Sequence, residues 1–144
     1  MSLQIINPYT QKKIASIPYD SKKELQQKIA NAADAFQDWQ KTPIRRRIAV
    51  VKKGLSYFRK NAEAIAREIT LQMGKPIGQA RGEVNAFFDR AEYMLAIGEE
   101  TLKPDLLPKK ENFHRRIEHV PLGVILNIAA WNYPLLVPVN VIVP

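Results

Sequence analysis

No cysteine occurs anywhere in the 144 residues of this chain. That absence excludes disulfide bonds, thiolate metal sites and a cysteine nucleophile supplied by these residues. Histidine is almost absent too: the two are His114 and His119. Neither has a partner at metal-ligand spacing, so a strand-surface role is the better reading and no metal site is expected. The N-terminus, Met1-Ser2-Leu3-Gln4, lacks the basic region and long apolar stretch of a secretory signal, and a cytoplasmic location is the expectation. Charge is absent from one long segment. From His119 to Pro144 there is no Asp, Glu, Lys or Arg. Length alone raises a membrane span for it. Pro121, Pro134 and Pro138 interrupt the segment, and Asn127, Asn132 and Asn140 add polar cost, so no membrane partner is expected.

Acidic residues are outnumbered, 14 against 22 Lys and Arg, for a net charge of +8. Such an excess can mark a polyanion-binding protein. Here the basic residues are mixed with acids, as in Lys22-Lys23-Glu24 and Arg59-Lys60-Asn61-Ala62-Glu63. The densest clusters are Arg45-Arg46-Arg47 with Lys52-Lys53, and Lys109-Lys110 with Arg115-Arg116. Three consecutive arginines splay around a helix instead of facing one groove, and no aromatic residue sits among them to stack on bases. Solvated helix faces explain them, and no specific nucleic-acid partner is expected.

Hydrophobic residues make up 46% of the chain, enough for a core in one ordinary domain. Residues 3–18 predict a hairpin at a sheet edge: two apolar runs flank Asn7-Pro8-Tyr9-Thr10, and Pro8 and Pro18 limit ladder donation. Four helical patterns follow. The first opens on Ser21 and Glu24, a capping box, with Leu25, Ile29, Ala32, Phe36 and Trp39 on its apolar stripe. The second starts at Thr42-Pro43, a cap followed by Pro at the first helical position, and carries Ile44, Ile48, Val51, Leu55 and Phe58. The third begins near Asn61 with Ala62, Ile65, Ile69 and Met73; Gly74 can close it in the left-handed conformation and Pro76 prevents continuation. The fourth runs from about Pro76 to Glu100 on Ile77, Ala80, Val84, Phe87, Ala91, Leu95 and Gly98.

Pro104 to Lys110 predicts a loop. Phe113 to Val120 alternates as a strand does, with Phe113, Arg115 and Ile117 opposite His114, Arg116 and Glu118. Val124 to Ala129 is apolar at nearly every position, which predicts a strand covered on both faces. Leu135 to Val143 predicts the start of a further helix. The preceding helices can cover only part of this apolar end. The chain is therefore expected to be incomplete relative to its native domain, and poorly soluble by itself.

Asn132 is the first candidate for chemistry. It sits where the apolar run ends, and ligands of α/β folds gather at the carboxyl ends of strands. Its carboxamide can donate to an oxygen that becomes negative in a transition state. It can equally be a turn residue that bonds its own backbone before Pro134. Trp131 can line a cofactor groove or fill core. Gly74-Lys75-Pro76 is no phosphate loop, since the preceding glycines are absent. Arg81 and Glu83, beside Gly82, read as helix ion pairs and not as an acid–base couple.

A set of ordered motifs bears on these alternatives. Asn7-Pro8-x-Thr10, Met73-Gly74-Lys75-Pro76, Ala80-Arg81-Gly82-Glu83-Val84, and Pro121-Leu122-Gly123-Val124 through Trp131-Asn132-Tyr133-Pro134-Leu135 together resemble the NAD(P)-dependent aldehyde dehydrogenases over nearly the whole chain. Tyr133 to Asn140 resembles the succinate-semialdehyde dehydrogenase-like branch. The resemblance implies an α/β fold: a partial cofactor domain, residues 1–144, with an N-terminal hairpin, four helices, an arm strand and the first strand of the dinucleotide-binding sheet. It implies that Asn132 is the oxyanion donor, that Ile128, Ala129, Ala130 and Trp131 run beside bound NAD or NADP, and that residues 113–120 form the arm through which family members assemble as homo-oligomers. It implies a small aldehyde substrate oxidised to its acid. In the family a Cys attacks the aldehyde, hydride leaves for the nicotinamide, and a Glu-activated water releases the acid. That Cys, that Glu and the ribose-anchoring Lys would lie beyond position 144, so these residues alone are expected to be inactive. Two positions depart from the pattern. Ala130 stands where the family usually has Pro, which removes a fixed φ from the turn that aims Asn132. Asn127 stands where a small residue is common. The alternative reading is a non-catalytic basic helical module that binds a polyanion or a partner protein.

Overall fold

Each element of the chain starts and stops on local chemistry, seen here in a computed structural model that describes residues 1–144. Strand β1 (Ser2–Ile6) pairs antiparallel with β2 (Lys13–Pro18), Leu3 opposite Ile17 and Ile5 opposite Ala15, with a register shift after Ile5. The turn between them is held by Asn7, whose side-chain oxygen accepts the N–H groups of Tyr9 and Thr10, both at 2.9 Å. The expected hairpin is present, and with only two strands both are edges.

Helix α1 (Lys22–Trp39) begins with the expected capping box: Ser21 Oγ accepts the Glu24 N–H at 3.2 Å, and a Glu24 oxygen accepts the Ser21 N–H at 2.7 Å. Its apolar stripe is not buried, however. Leu25 is 53% exposed and Ile29 60%. The stripe is a face without a partner among these residues, because periodicity marks which side seeks cover and not whether cover arrives. Helix α2 (Ile44–Lys60) starts one residue later than the sequence suggests. Pro43 stays extended (ψ 143°), so its carbonyl accepts the Arg46 and Arg47 N–H groups and it acts as the cap itself. The Thr42 hydroxyl turns back to donate to the Asp38 carbonyl at 3.2 Å.

Helix α3 (Ala62–Met73) ends as expected on Gly74 at φ 77°. A Cβ there would sit 3.0 Å from Pro8 Cγ, so the hairpin turn lies directly over the α3–α4 corner. Helix α4 (Ile77–Thr101) is the centre of the molecule. Ala80, Val84, Phe87, Ala91 and Leu95 are buried as the stripe predicts, joined by Phe88. Leu55 of α2, and Ala66 and Ile69 of α3, complete most of the core. Phe58, Phe87 and Phe88 form a chain of rings with centroids 5.0 and 5.3 Å apart. Across the α3–α4 surface Arg81 grips Glu63 with two bonds of 2.8 Å, and Arg67 adds a third at 3.1 Å.

The C-terminal third departs most from expectation. The strand expected over 113–120 contracts to β4 (Arg116–Ile117), and its partner β3 (Asp105–Leu106) arises inside the expected loop. Residues 124–129 form no strand at all. No other strand of the chain lies beside them, and a single strand leaves its N–H and C=O groups without a ladder. Ile128, expected inside, is 85% exposed. The helix expected from Leu135 is a run of turns that becomes helical only as α5 (Val139–Ile142). Val137 and Val139 donate to the Tyr133 and Leu135 carbonyls at 3.1 Å, but Pro138 between them has no N–H to return to Pro134, so consecutive helical bonds start only after it. Val139 is buried against the core nonetheless. No helix of the molecule is long and apolar enough to cross a membrane.

Candidate functional site

The turn that carries Asn132 is interrupted by Pro134 and Pro138 and has only two helical backbone bonds, from Val137 to Tyr133 and from Val139 to Leu135, yet it is fastened to the helical core. The fastening is a buried ion pair. Lys75 follows the left-handed Gly74 at the α3–α4 corner, and Glu83 lies two turns into α4. Their side chains form a salt bridge, with Lys75 only 8% and Glu83 4% exposed as residues. From this pair, bonds run out to the turn. The Lys75 ammonium donates to the Asn132 backbone carbonyl at 2.9 Å. Glu83 Oε1 accepts the Leu135 N–H at 3.0 Å and the Leu136 N–H at 3.4 Å. The ammonium also lies 4.0 Å from the centroid of the Tyr133 ring, within cation–π range.

This arrangement corrects the reading of Arg81 and Glu83 as helix ion pairs. Arg81 bridges to Glu63 on α3, and Glu83 serves the turn. The signal for Glu83 was present in the sequence. Ala80, Glu83, Val84 and Phe87 follow the spacing of one helix face, so a carboxylate falls within an otherwise apolar stripe. An ionised group there needs a buried partner. Nothing local names Lys75 as that partner.

Asn132 itself is exposed, and its side-chain amide bonds no atom of the chain. The turn-residue alternative required a bond from that amide to its own backbone, as Asn7 makes; Asn132 does not make one. Its carboxamide is unbonded within the chain while its backbone carbonyl is held. Trp131 is 81% exposed and does not fill core. It borders a groove of about 480 Å³ with Ile5, Ile65, Met73 and Pro134. Ile128, Ala129 and Ala130 form the extended lead into the turn, with Ile128 and Ala130 exposed and Ala129 half-buried. Together with Trp131 they present apolar surface, and their peptide groups bond no other part of the chain.

Elsewhere the charged residues pair across the surface. Arg45 bonds Glu99 at 2.8 Å, Arg115 donates to the Pro108 carbonyl at 2.7 Å, and Arg116 pairs with Glu118. His119 Nδ1 lies 2.9 Å from the Lys103 carbonyl oxygen. No group of His, Asp and Glu side chains is arranged to hold a metal ion. The Glu63 carboxyl is held down at about 2, first by the bond from Arg81 and then by that from Arg67.

The model of the aldehyde dehydrogenase family matches residues 1–144. The chain is 36% identical over 132 residues to a succinate semialdehyde dehydrogenase of Escherichia coli that uses NAD(P)+, covering 90% of this chain and 28% of that protein. It is 32% identical over 130 residues to the NADP+ succinate-semialdehyde dehydrogenase of Deinococcus radiodurans, covering 90% of this chain and 27% of that one. The chain thus spans little more than a quarter of the curated relatives it matches. Among solved structures it is similar to succinic semialdehyde dehydrogenase from Streptococcus pyogenes in complex with NADP+, at a TM-score of 0.89 and 25% identity, covering 97% of this chain and 31% of that one.

Proposed function

The chain belongs to the aldehyde dehydrogenase family, and from that premise we propose that it is the N-terminal part of the cofactor-binding domain of an enzyme that oxidises a small aldehyde to its carboxylic acid with NAD or NADP. The semialdehyde activities named for its relatives point to an aldehyde of that class as substrate. The observation that carries the reading is the Asn132 carboxamide, free of bonds to the chain while its backbone carbonyl is held by Lys75.

In this reading Asn132 donates from its side-chain N–H₂ to the aldehyde oxygen. As a nucleophile adds to the carbonyl carbon, that oxygen gains negative charge and the bond strengthens. The donation therefore favours the transition state over the ground state. Ile128, Ala129, Ala130 and Trp131 hold one face of the dinucleotide. The bound nicotinamide supplies the hydride acceptor. Residues 1–144 contain no Cys, so the attacking thiolate is not among them, and these residues alone do not turn aldehyde over. Residues 113–120 serve as an arm for homo-oligomer assembly, supported by the exposed Phe113 and Ile117 on and beside β4. The protein acts in the cytoplasm, without a metal, a membrane or a specific nucleic acid as partner. No observation favours the basic-module alternative, since Arg45 is engaged by Glu99 and the other cluster is divided between a loop and a two-residue strand.

The test is NAD(P)H formation with succinate semialdehyde. A full-length protein carrying these residues is expected to be active, and the purified 144-residue chain is not. Activity that follows the short chain through two chromatographic steps would overturn the proposal.

A further inference from the structure

Lys75 and Glu83 are the two charged residues buried in this molecule, whereas Asn132, whose carbonyl Lys75 holds, is exposed. We infer that the pair is a latch for that carboxamide: it fixes the backbone of Asn132 to Leu136 on the α3–α4 corner, and so sets the direction in which the Asn132 side chain points. The inference rests on the reading of Asn132 as the oxyanion donor and assigns the residues that position it.

The latch holds both sides of the turn. On one side Lys75 donates to the Asn132 carbonyl at 2.9 Å; on the other Glu83 accepts from Leu135 at 3.0 Å. Between them stands Pro134, which has no N–H to contribute. Upstream, Ala130 has no ring to restrict its φ, and residues 124–130 pair with nothing. Downstream, Val137 and Val139 return N–H groups to the Tyr133 and Leu135 carbonyls at 3.1 Å, but the Asn132 carbonyl and the Leu135 N–H are held by these two side chains alone. A displacement of about 1 Å at a reacting group can cost on the order of 10²-fold in rate, so a held backbone matters to a donor on a turn.

The energetics separate this role from plain stabilisation. A buried ion pair is often replaced by apolar residues of similar volume at no cost to stability, whereas an apolar pair has nothing to offer the Asn132 carbonyl or the Leu135 N–H. The double variant Lys75→Met/Glu83→Leu should keep the core and lose the turn. Lys75 and Glu83 are positioning residues, since neither touches the place of reaction.

The experiment is hydrogen–deuterium exchange on the 144-residue chain, read by mass spectrometry on peptides covering residues 131–137 and 88–95. In the double variant the amides of Leu135 and Leu136 should exchange at least about 10-fold faster while 88–95 is unchanged. Glu83→Gln keeps an acceptor for the Leu135 N–H and should fall between the double variant and the native chain. In a full-length protein the double variant should lower kcat by roughly 10- to 100-fold with KM for NAD(P) unchanged. Unchanged exchange at 131–137 overturns the latch, as does equal loss of protection in both peptides, which would make the pair a support for the whole core. Released amides with normal kcat also overturn it. Aldehyde inactivity of the native full-length protein defeats the reading of Asn132 and leaves the exchange result standing.

Discussion

Removing the Glu83 carboxylate alone strands Lys75 as an unpaired cation in the interior, at a site only 8% exposed for the lysine and 4% for the glutamate. Glu83→Ala also leaves the Leu135 N–H, bonded at 3.0 Å in the native chain, without its acceptor. Breaking one partner of a buried pair costs about 3–5 kcal/mol. That is a large part of the roughly 5–15 kcal/mol that holds an ordinary domain together. With a urea dependence of about 2 kcal/mol per molar, the unfolding midpoint should fall by about 2 M. Urea titration followed by far-ultraviolet circular dichroism measures it. Removing Lys75 as well should reverse most of the loss, with Lys75→Met/Glu83→Leu within about 1 kcal/mol of the native chain. A Glu83→Ala midpoint within about 0.5 M of native would refute the reasoning, because a solvated pair and not a buried one would then be implied.

Three further outcomes are expected. Glu63 has its folded value depressed to about 2 from an ordinary 4.5, so its contribution to stability is present above pH 4.5 and is lost as pH falls from there toward 2. Thermal unfolding across that window should show a small, salt-sensitive decline that Glu63→Gln abolishes, small because Glu63, Arg67 and Arg81 are all solvent-exposed. Gly74→Ala should destabilise by about 1–2 kcal/mol from the left-handed conformation alone, and by more if Pro8 cannot yield, as chemical denaturation would show. Leu122, Leu126, Ile128 and Trp131 form an exposed apolar stretch, so the isolated chain should associate in light scattering, and a monodisperse monomer would show that stretch to be covered in solution.

Much of the helical structure is legible in the sequence because its signals are local. Ser21 with Glu24, Gly74 before Pro76, and the spacing of Ala80, Val84, Phe87, Ala91 and Leu95 mark where helices start, stop and face. Most of the misses are non-local. Whether Leu25 and Ile29 are covered depends on what lies opposite α1, and whether 124–129 forms a strand depends on neighbours that supply a ladder. Pro138 delays α5 by a rule visible in the sequence, the missing N–H of a proline within an apolar run. Asn132 stood out by its place at the end of an apolar run. The side chains that hold it did not, because Lys75 and Glu83 meet only once α3 turns into α4. Glu83 within an apolar stripe was the readable clue, and it names a need for a cation without saying which.

Asn132 as an oxyanion donor on a latched turn stands or falls on the rate of the chemical step. The direct measurement is steady-state oxidation of succinate semialdehyde by a full-length protein carrying these residues, native against Asn132→Ala, at saturating NAD or NADP. Loss of the donor should lower kcat by about 10²-fold or more while KM for the cofactor holds. Near-native kcat in Asn132→Ala, with the variant folded, would contradict it and return Asn132 to an ordinary place in a turn.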